Sequence, residues 1–406
     1  MYPRPFYVLY VSVFVATLGI SMVSPLLPVY AKDLGATGIW IGLTFSIFAV
    51  TQTIFGPFAG RISDRYGRKP FIVGGLLFYF VAALGYLTAQ SFYQVMAFRA
   101  LSGVGTSLIF SVSRAYIGEM VPSGHEGRWF GVFATADIIG FGTGPILAGV
   151  IRQVFSFDSV FVAMAALLFA SAGIVQVLLP KEPDSSLRGQ GAAADATPDV
   201  GLVAALKDRL ALAVTLMMGF TSLSFGATFS FLAVRLENDL GVIPALVGVA
   251  FAVENIASGI AQPFMGRVAD RLDRRLVVSV GFAITATMLF LLGLANSLVM
   301  VIVLLALMGV GQAVSWVTSS ALQVVAGRRV GMGTVLGLGS GSGGIGILIG
   351  SVVGGLIVDI SDIRAAFFFG GIVMALGLPL FLALTHGVPT RDEEEPVAEA
   401  AAAGGA

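Results

Sequence analysis

Three side chains in this sequence carry charge where charge is expensive. Arg99, Asp137 and Glu254 each lie inside an apolar run of membrane-spanning length, roughly 20 residues. Asp137 is eight residues into the run that starts at Trp129, and Glu254 eleven residues into the one that starts at Ile243. At about 1.5 Å of helix rise per residue, both acids lie roughly 12–17 Å deep. Ionisable groups at that depth mark proton relays or the paths of ions and substrates. Withdrawal from water favours the neutral form of a carboxyl, and a nearby arginine favours the charged form. An acid that alternates between such surroundings takes up and releases a proton. The expectation is therefore that Asp137 and Glu254 are the protonatable pair, with Arg99 tuning one or both.

Other chemistry is poorly provided for. The chain has no cysteine, and its two histidines, His125 and His386, are too far apart in sequence to suggest a metal site. The glycine-rich stretch 337–346 sits inside an apolar run and lacks the lysine of a phosphate-binding loop. No catalytic residue, metal or organic cofactor is expected, and the energy source that remains is a proton gradient. The chain does not read as an enzyme.

The elements that must position these residues follow from composition. Of 406 residues, 57% are hydrophobic and only 11% charged, against roughly 25% charged in an ordinary globular protein. So little charge cannot cover a soluble surface, which excludes a cytosolic enzyme, a nucleic-acid binder and a disordered chain. Twelve spans are predicted, at 6–30, 39–59, 71–89, 92–117, 129–150, 160–179, 210–234, 243–265, 276–295, 298–324, 333–358 and 365–385. The first, from Phe6 to Tyr30, is too long for the apolar region of a cleaved signal peptide. Helix is the only open form that satisfies the backbone in lipid. With the N-terminus inside, the inner segments hold seventeen lysines and arginines and the outer loops four. That asymmetry places both termini in the cytoplasm of a multi-pass protein of the cytoplasmic membrane.

The chain also lies on itself at one constant offset. Asp33-Leu34-Gly35 falls on Asp239-Leu240-Gly241, Gly103-Val104-Gly105 on Gly309-Val310-Gly311, and Asp64-Arg65 on Asp270-Arg271. Gly140 and Gly144 fall on Gly346 and Gly350. The expected fold is thus all-α, two pseudo-symmetric six-helix bundles at 1–180 and 210–386. A cytoplasmic linker at 181–209 joins them, and a disordered tail follows at 387–406. Two copies inserted the same way up are related by an axis along the membrane normal, with a site between them at mid-membrane. Function is expected where the repeat breaks. Arg99 faces Leu305 in the alignment, Asp137 faces Gly343, Glu254 faces Phe48 and Pro145 faces Ser351.

The segment between spans two and three reads Gly60-Arg61-Ile62-Ser63-Asp64-Arg65-Tyr66-Gly67-Arg68-Lys69. It resembles the signature loop of the major facilitator superfamily, G-x-x-x-D-R-x-G-R-K/R. A degraded copy at 266–275 retains Gly266, Asp270 and Arg271 and puts Asp273 in place of the second glycine. Gly60 permits close helix approach and Gly67 a tight turn. Asp64, Arg65, Arg68 and Lys69, with Arg114 and Glu119, form a candidate ion-pair cluster at the inner gate. Arg99 with Gly103 and Gly105 is similar to the superfamily's R-x-x-x-G-x-G element. Gly131, Gly140, Gly144, Pro145 and Gly149 resemble its antiporter signature, G-x8-G-x3-G-P-x2-G-G, with Ala148 at the first closing glycine.

The resemblance implies a secondary transporter working by alternating access, of the 12-span drug:proton antiporter subgroup. Its cavity wall would come from spans one, four, seven and ten, where Phe110, Phe225, Phe229, Gln312 and Trp316 are candidates. Aromatic walls with an acid suit lipophilic, often cationic, small molecules. The expected partners are those molecules, protons and the lipid bilayer, with no nucleic acid, and the chain is expected to act as a monomer. An importer or a lipid or lysolipid flippase on the same scaffold is the alternative reading. A non-transporting membrane receptor is a remote one.

Overall fold

An apolar segment in lipid must satisfy each of its backbone N–H and C=O groups internally, and here every element does so as an α-helix. The computed structural model describes residues 2–121, 125–180 and 205–388, with Glu126, Gly127, Gly266, Ala269, Asp270 and Arg271 described by backbone only. Most of the expected linker and tail, at 181–204 and 389–406, lies outside the described residues. The N-terminal half comprises α1 (Arg4–Val23), α2 (Leu26–Asp33), α3 (Gly38–Tyr66), α4 (Arg68–Thr88), α5 (Phe92–Met120), α6 (Glu126–Val154) and α7 (Phe157–Leu178). The C-terminal half comprises α8 (Arg209–Asn238), α9 (Pro244–Arg271), α10 (Arg274–Leu294), α11 (Leu298–Val330), α12 (Met332–Ile360) and α13 (Ile363–Thr385). Twelve of these helices are long and apolar enough to cross a membrane.

The exception is α2. The run 6–30 is not one helix: it breaks at Ser24-Pro25 into α1 and the short α2. Pro25 has no N–H to give to the preceding turn, and the Ser24 hydroxyl bonds back to the Ile20 carbonyl at 2.8 Å. Elsewhere helices outrun their apolar cores. Residues 60–66, expected as loop, are the last turns of α3, and Gly67 alone makes the turn into α4 at φ +89° and ψ 152°, a region essentially reserved for glycine. The degraded copy turns differently: Asp273 sits at φ −60° and caps α10, accepting a hydrogen bond from the Arg275 N–H.

The two halves pack alike. In the first, α1 packs on α6 and α7, α5 on α3 and α4, and α4 on α7. In the second, the helices that the repeat makes equivalent do the same: α8 on α12 and α13, α11 on α9 and α10, and α10 on α13. The halves meet along two seams, α6 with α9 and α3 with α12. Both seams are tightest at the end away from the chain termini. There Gly42 lies on the Ser351 carbonyl and Gly355 on that of Gly38, while Gly248 lies on the Pro145 carbonyl and Gly149 on that of Pro244. A methyl group at any of the four would push backbone apart. The end of the bundle away from the chain termini is therefore closed.

Candidate functional site

A cavity of about 300 Å³ lies between the halves, with walls from α1, α3, α5 and α6 on one side and α8, α9, α11 and α12 on the other. Its surface is largely aromatic. Phe45 of α3 meets Phe225 and Phe229 of α8 across the seam, with ring centroids 6.2 and 5.7 Å apart. Two charged residues line it, Arg99 and Glu254.

Each is held by a glycine at an equivalent place in the repeat. Gly103 of α5 lies against the backbone of Phe48, and Gly309 of α11 against the backbone of Glu254. Phe48 and Glu254 are themselves repeat partners. The first half thus sets a ring on α3 beneath the Arg99 guanidinium, 4.3 Å from its centroid, while the second sets a carboxylate on α9 beside Leu305. Repeat symmetry is broken into one cation and one anion facing a common space.

Both charges are withdrawn from water and incompletely paired. Arg99 is 2% exposed and Glu254 4%. Arg99 reaches the Ser24 hydroxyl at 3.5 Å, and its other terminal nitrogen, Nη1, has no hydrogen-bond partner among the described residues. Glu254 accepts a 2.8 Å hydrogen bond from the Gln312 amide on one oxygen, while the other, Oε2, has none among the described residues. Burying charge costs several kcal/mol per ion unless it is paired, and the Tyr79 and Tyr86 hydroxyls beside Arg99 offset part of that cost.

Asp137 is elsewhere. It accepts a 2.8 Å hydrogen bond from the Thr17 hydroxyl of α1 and lies 3.7 Å from Arg114 of α5. The two acids expected as a protonatable pair therefore have separate partners. Successive helix residues turn by about 100°, and the neighbouring Ile138 is the residue that meets α9, against Gly259. The cation beside Asp137 is Arg114, and Arg99 belongs to the Glu254 cavity.

The gate cluster is also rearranged. Arg68 pairs with Asp64 at 2.5 Å and Glu119 at 2.7 Å, and donates to the Ser63 hydroxyl at 2.7 Å and the Gly60 carbonyl at 3.3 Å. These contacts tie α3, α4 and α5 of one half together rather than joining the halves. Arg114 is not among them, Arg65 is exposed and Lys69 half-buried. A Cβ on Gly60 would meet nothing within 4 Å, so no helix approaches there. The side chains of Asp270 and Arg271, and the surroundings of Gly266, lie outside the described residues.

Of the antiporter-like glycines, Gly140 and Gly144 fit against Thr17 and Ser21 of α1 and Gly149 against Pro244 of α9, whereas Gly131 faces open space. Pro145 remains inside an unbroken α6. Phe225, Phe229 and Gln312 line the central cavity. Phe110 does not: it packs against the core of the N-terminal half. Its repeat partner Trp316 lines cavities within the C-terminal half. Ser24, Phe45 and Phe251 also line the cavity, and Thr17 holds Asp137. Phe251 lies one helical turn before Glu254, which is a signal in the sequence; Thr17 meets Asp137 from another helix and carries none.

The Major Facilitator Superfamily profile matches residues 9–236 and 214–404. An uncharacterized MFS-type transporter of Methanocaldococcus jannaschii is 26% identical over 367 residues, covering 90% of this chain and 94% of the relative. Multidrug resistance protein 1 of Bacillus subtilis is 26% identical, covering 93% and 95%. The quinolone resistance protein NorA of Staphylococcus aureus is 32% identical over 183 residues, which is 45% of this chain and 47% of that one. Among solved structures, a bacterial homologue of the human lysosomal transporter Spinster superposes with a TM-score of 0.77 at 13% identity, covering 94% and 96%. Twelve spans in two matching halves, a cavity at their seam and a profile that runs through both agree: the chain is a transporter of the Major Facilitator Superfamily.

Proposed function

We propose that the chain is a secondary active transporter that exports lipophilic, often cationic, small molecules in exchange for protons. It works by alternating access in the cytoplasmic membrane, with both termini in the cytoplasm. In that orientation the closed end faces outward, and substrate enters from the cytoplasmic side. One observation carries the reading. Glu254 sits in the wall of a cavity built by both halves, buried and with an unpartnered oxygen. Ionised, it attracts a cation among the aromatic rings; protonated, it releases that cation. Rocking of the halves about the α3–α12 and α6–α9 seams would then expose the same carboxyl to either side. The names of the Bacillus and Staphylococcus relatives support export of drugs.

The test is efflux of a panel of cationic dyes and drugs from proteoliposomes under an imposed proton gradient. Gradient-dependent movement of at least one compound, lost in Glu254→Gln, is the expected result. A gradient that moves none of them outward, or an undiminished Glu254→Gln variant, overturns the proposal.

A further inference from the structure

Laying one half on the other shows that they are filled differently. In the N-terminal half, Tyr79, Tyr86 and Arg99 occupy the space between α1, α4, α5 and α7, at 0, 0 and 2% exposure. Their repeat partners are Thr285, Leu292 and Leu305. In the second half these places hold smaller side chains, and a chamber of about 260 Å³ is lined by those three residues together with Leu289, Met308 and Phe367. Glu254 and Gln312 line both this chamber and the central cavity, so they form the wall between the two.

The chamber wall mixes apolar side chains with hydroxyls that are already engaged: those of Thr221 and Ser224 donate to the Met217 and Gly370 carbonyls at 2.9 and 2.6 Å. The hydroxyls of Thr228 and Thr285, which border it, are committed to the carbonyls of Ser224 and Gly281 at 2.9 Å each. A dry cavity of roughly 150 Å³ lined by aliphatic and aromatic side chains takes up benzene. This one has room for a fused ring pair or a chain of several carbons. Glu254 and Gln312 stand in its wall on the side of the central cavity.

We propose that the chamber is a tail subsite of the transport cavity. It takes the apolar tail of an amphiphilic cation whose head lies beside Glu254. The subsite specifies the substrate class of the function proposed above and rests on it for the word substrate, but its occupancy is read by binding alone. The C-terminal half acts as the tail-binding half because Thr285, Leu292 and Leu305 replace the two tyrosines and the arginine that plug the other.

The experiment is calorimetric binding of a homologous series of n-alkyltrimethylammonium ions to the purified full chain in lipid nanodiscs and in detergent. Kd should fall about fourfold for each methylene the chamber takes up, then level off once the chamber is full. Thr285→Tyr returns one of the three side chains that fill the N-terminal half and should move the levelling point to shorter chains. Leu305→Ala enlarges the chamber and should move the levelling point to longer chains. Glu254→Gln should weaken every member of the series and leave the slope intact. A levelling point that stays fixed in both Thr285→Tyr and Leu305→Ala overturns the proposal. So does a series that is flat in nanodiscs but steep in detergent, which would give the chamber to a bilayer lipid. If the series behaves as expected and no proton-driven transport is found, the chamber stands and the export reading falls. If transport is found and the series is flat, the reverse holds.

Discussion

Gln153 and Asp359 occupy equivalent positions of the two repeats, and each holds the first turn of a helix in the opposite half. The Gln153 side-chain oxygen accepts from the Ala245 N–H of α9 at 3.3 Å. The Asp359 carboxylate accepts from the N–H groups of Gly38 and Ile39 of α3 at 2.5 and 2.9 Å. The first N–H groups of a helix have no partner within it and carry its positive end, so an acceptor there is favoured, and a carboxylate most of all. Beside Gln153 the neutral amide is reinforced by an ion pair from Arg152 to Glu237 of α8, with side chains 13% and 11% exposed. At the end away from the chain termini the halves are latched twice, at symmetry-related points, by different chemistry.

Removing the charged latch should loosen the outer closure. Loss of a capping acceptor costs about 0.5–2 kcal/mol, which shifts an open–closed equilibrium by roughly two- to thirtyfold. The chain has no cysteine, so Phe45→Cys in the cavity wall gives a single reporter. Its labelling by an impermeant maleimide from the face opposite the termini should speed up by that factor in Asp359→Ala. Asp359→Asn, which keeps an acceptor, should fall between. Equal rates in all three would show that Asp359 holds nothing shut.

Glu254→Gln tests where the proton is carried. Glutamine keeps the size and an acceptor oxygen for Gln312, so the purified variant should unfold at the wild-type temperature. Dye efflux driven by a pH gradient should fall to the level of protein-free liposomes. Retention of a wild-type pH response would move proton carriage away from this residue.

The fold was legible because lipid leaves helix as the only open spanning form and because one offset aligns both halves. The break at Pro25 was present in the sequence as a proline inside an apolar run, yet the run from Phe6 to Tyr30 spans a membrane whether or not it is continuous. Glu254 stood out by repeat mismatch, and the family resemblance pointed to Gln312, Phe225 and Phe229 as cavity wall; that all four share one cavity is shown by the packed helices. The aim of Asp137 could not, since one residue of rotation decides whether it or Ile138 meets α9, and apolar helices with little amphipathicity give no sign of their azimuth. The latch residues Gln153 and Asp359 look like ordinary helix ends until the opposing helix starts are in place.

Asp137→Asn separates a one-acid from a two-acid cycle. The amide keeps the hydrogen bond from Thr17 and gives up the ion pair with Arg114, whose side chain is 61% exposed. An ion pair that open to water is worth at most about 1 kcal/mol, so stability should change little. Gradient-driven efflux is expected to be reduced while keeping its pH response, because the central cavity retains Glu254. Abolition as complete as in Glu254→Gln would make the two acids obligate partners despite their separate surroundings. Arg114→Ala with Asp137 intact then decides whether that dependence is on the acid or on the pair.

The antiporter-like glycines divide by contact, and a pair of alanine variants reads the division. A Cβ on Gly144 would meet the Ser21 hydroxyl and lie 2.8 Å from the Leu18 carbonyl, so α1 and α6 must separate to admit it. Overpacking of that kind costs about 1–3 kcal/mol, and Gly144→Ala should lower the thermal midpoint of the purified protein. Gly131 has nothing within 4 Å, and alanine in an exposed helix is favoured over glycine by about 1 kcal/mol. Gly131→Ala should therefore unfold no earlier than wild type. If it is nevertheless slow in transport, the fault lies in a state other than this one: with the outer end open, the inner end of α6 must close on a neighbour, and Gly131 is the residue left uncovered here to meet it. Equal activity of Gly131→Ala and wild type would remove Gly131 from the moving surface and leave the string of glycines as packing from Gly140 onward.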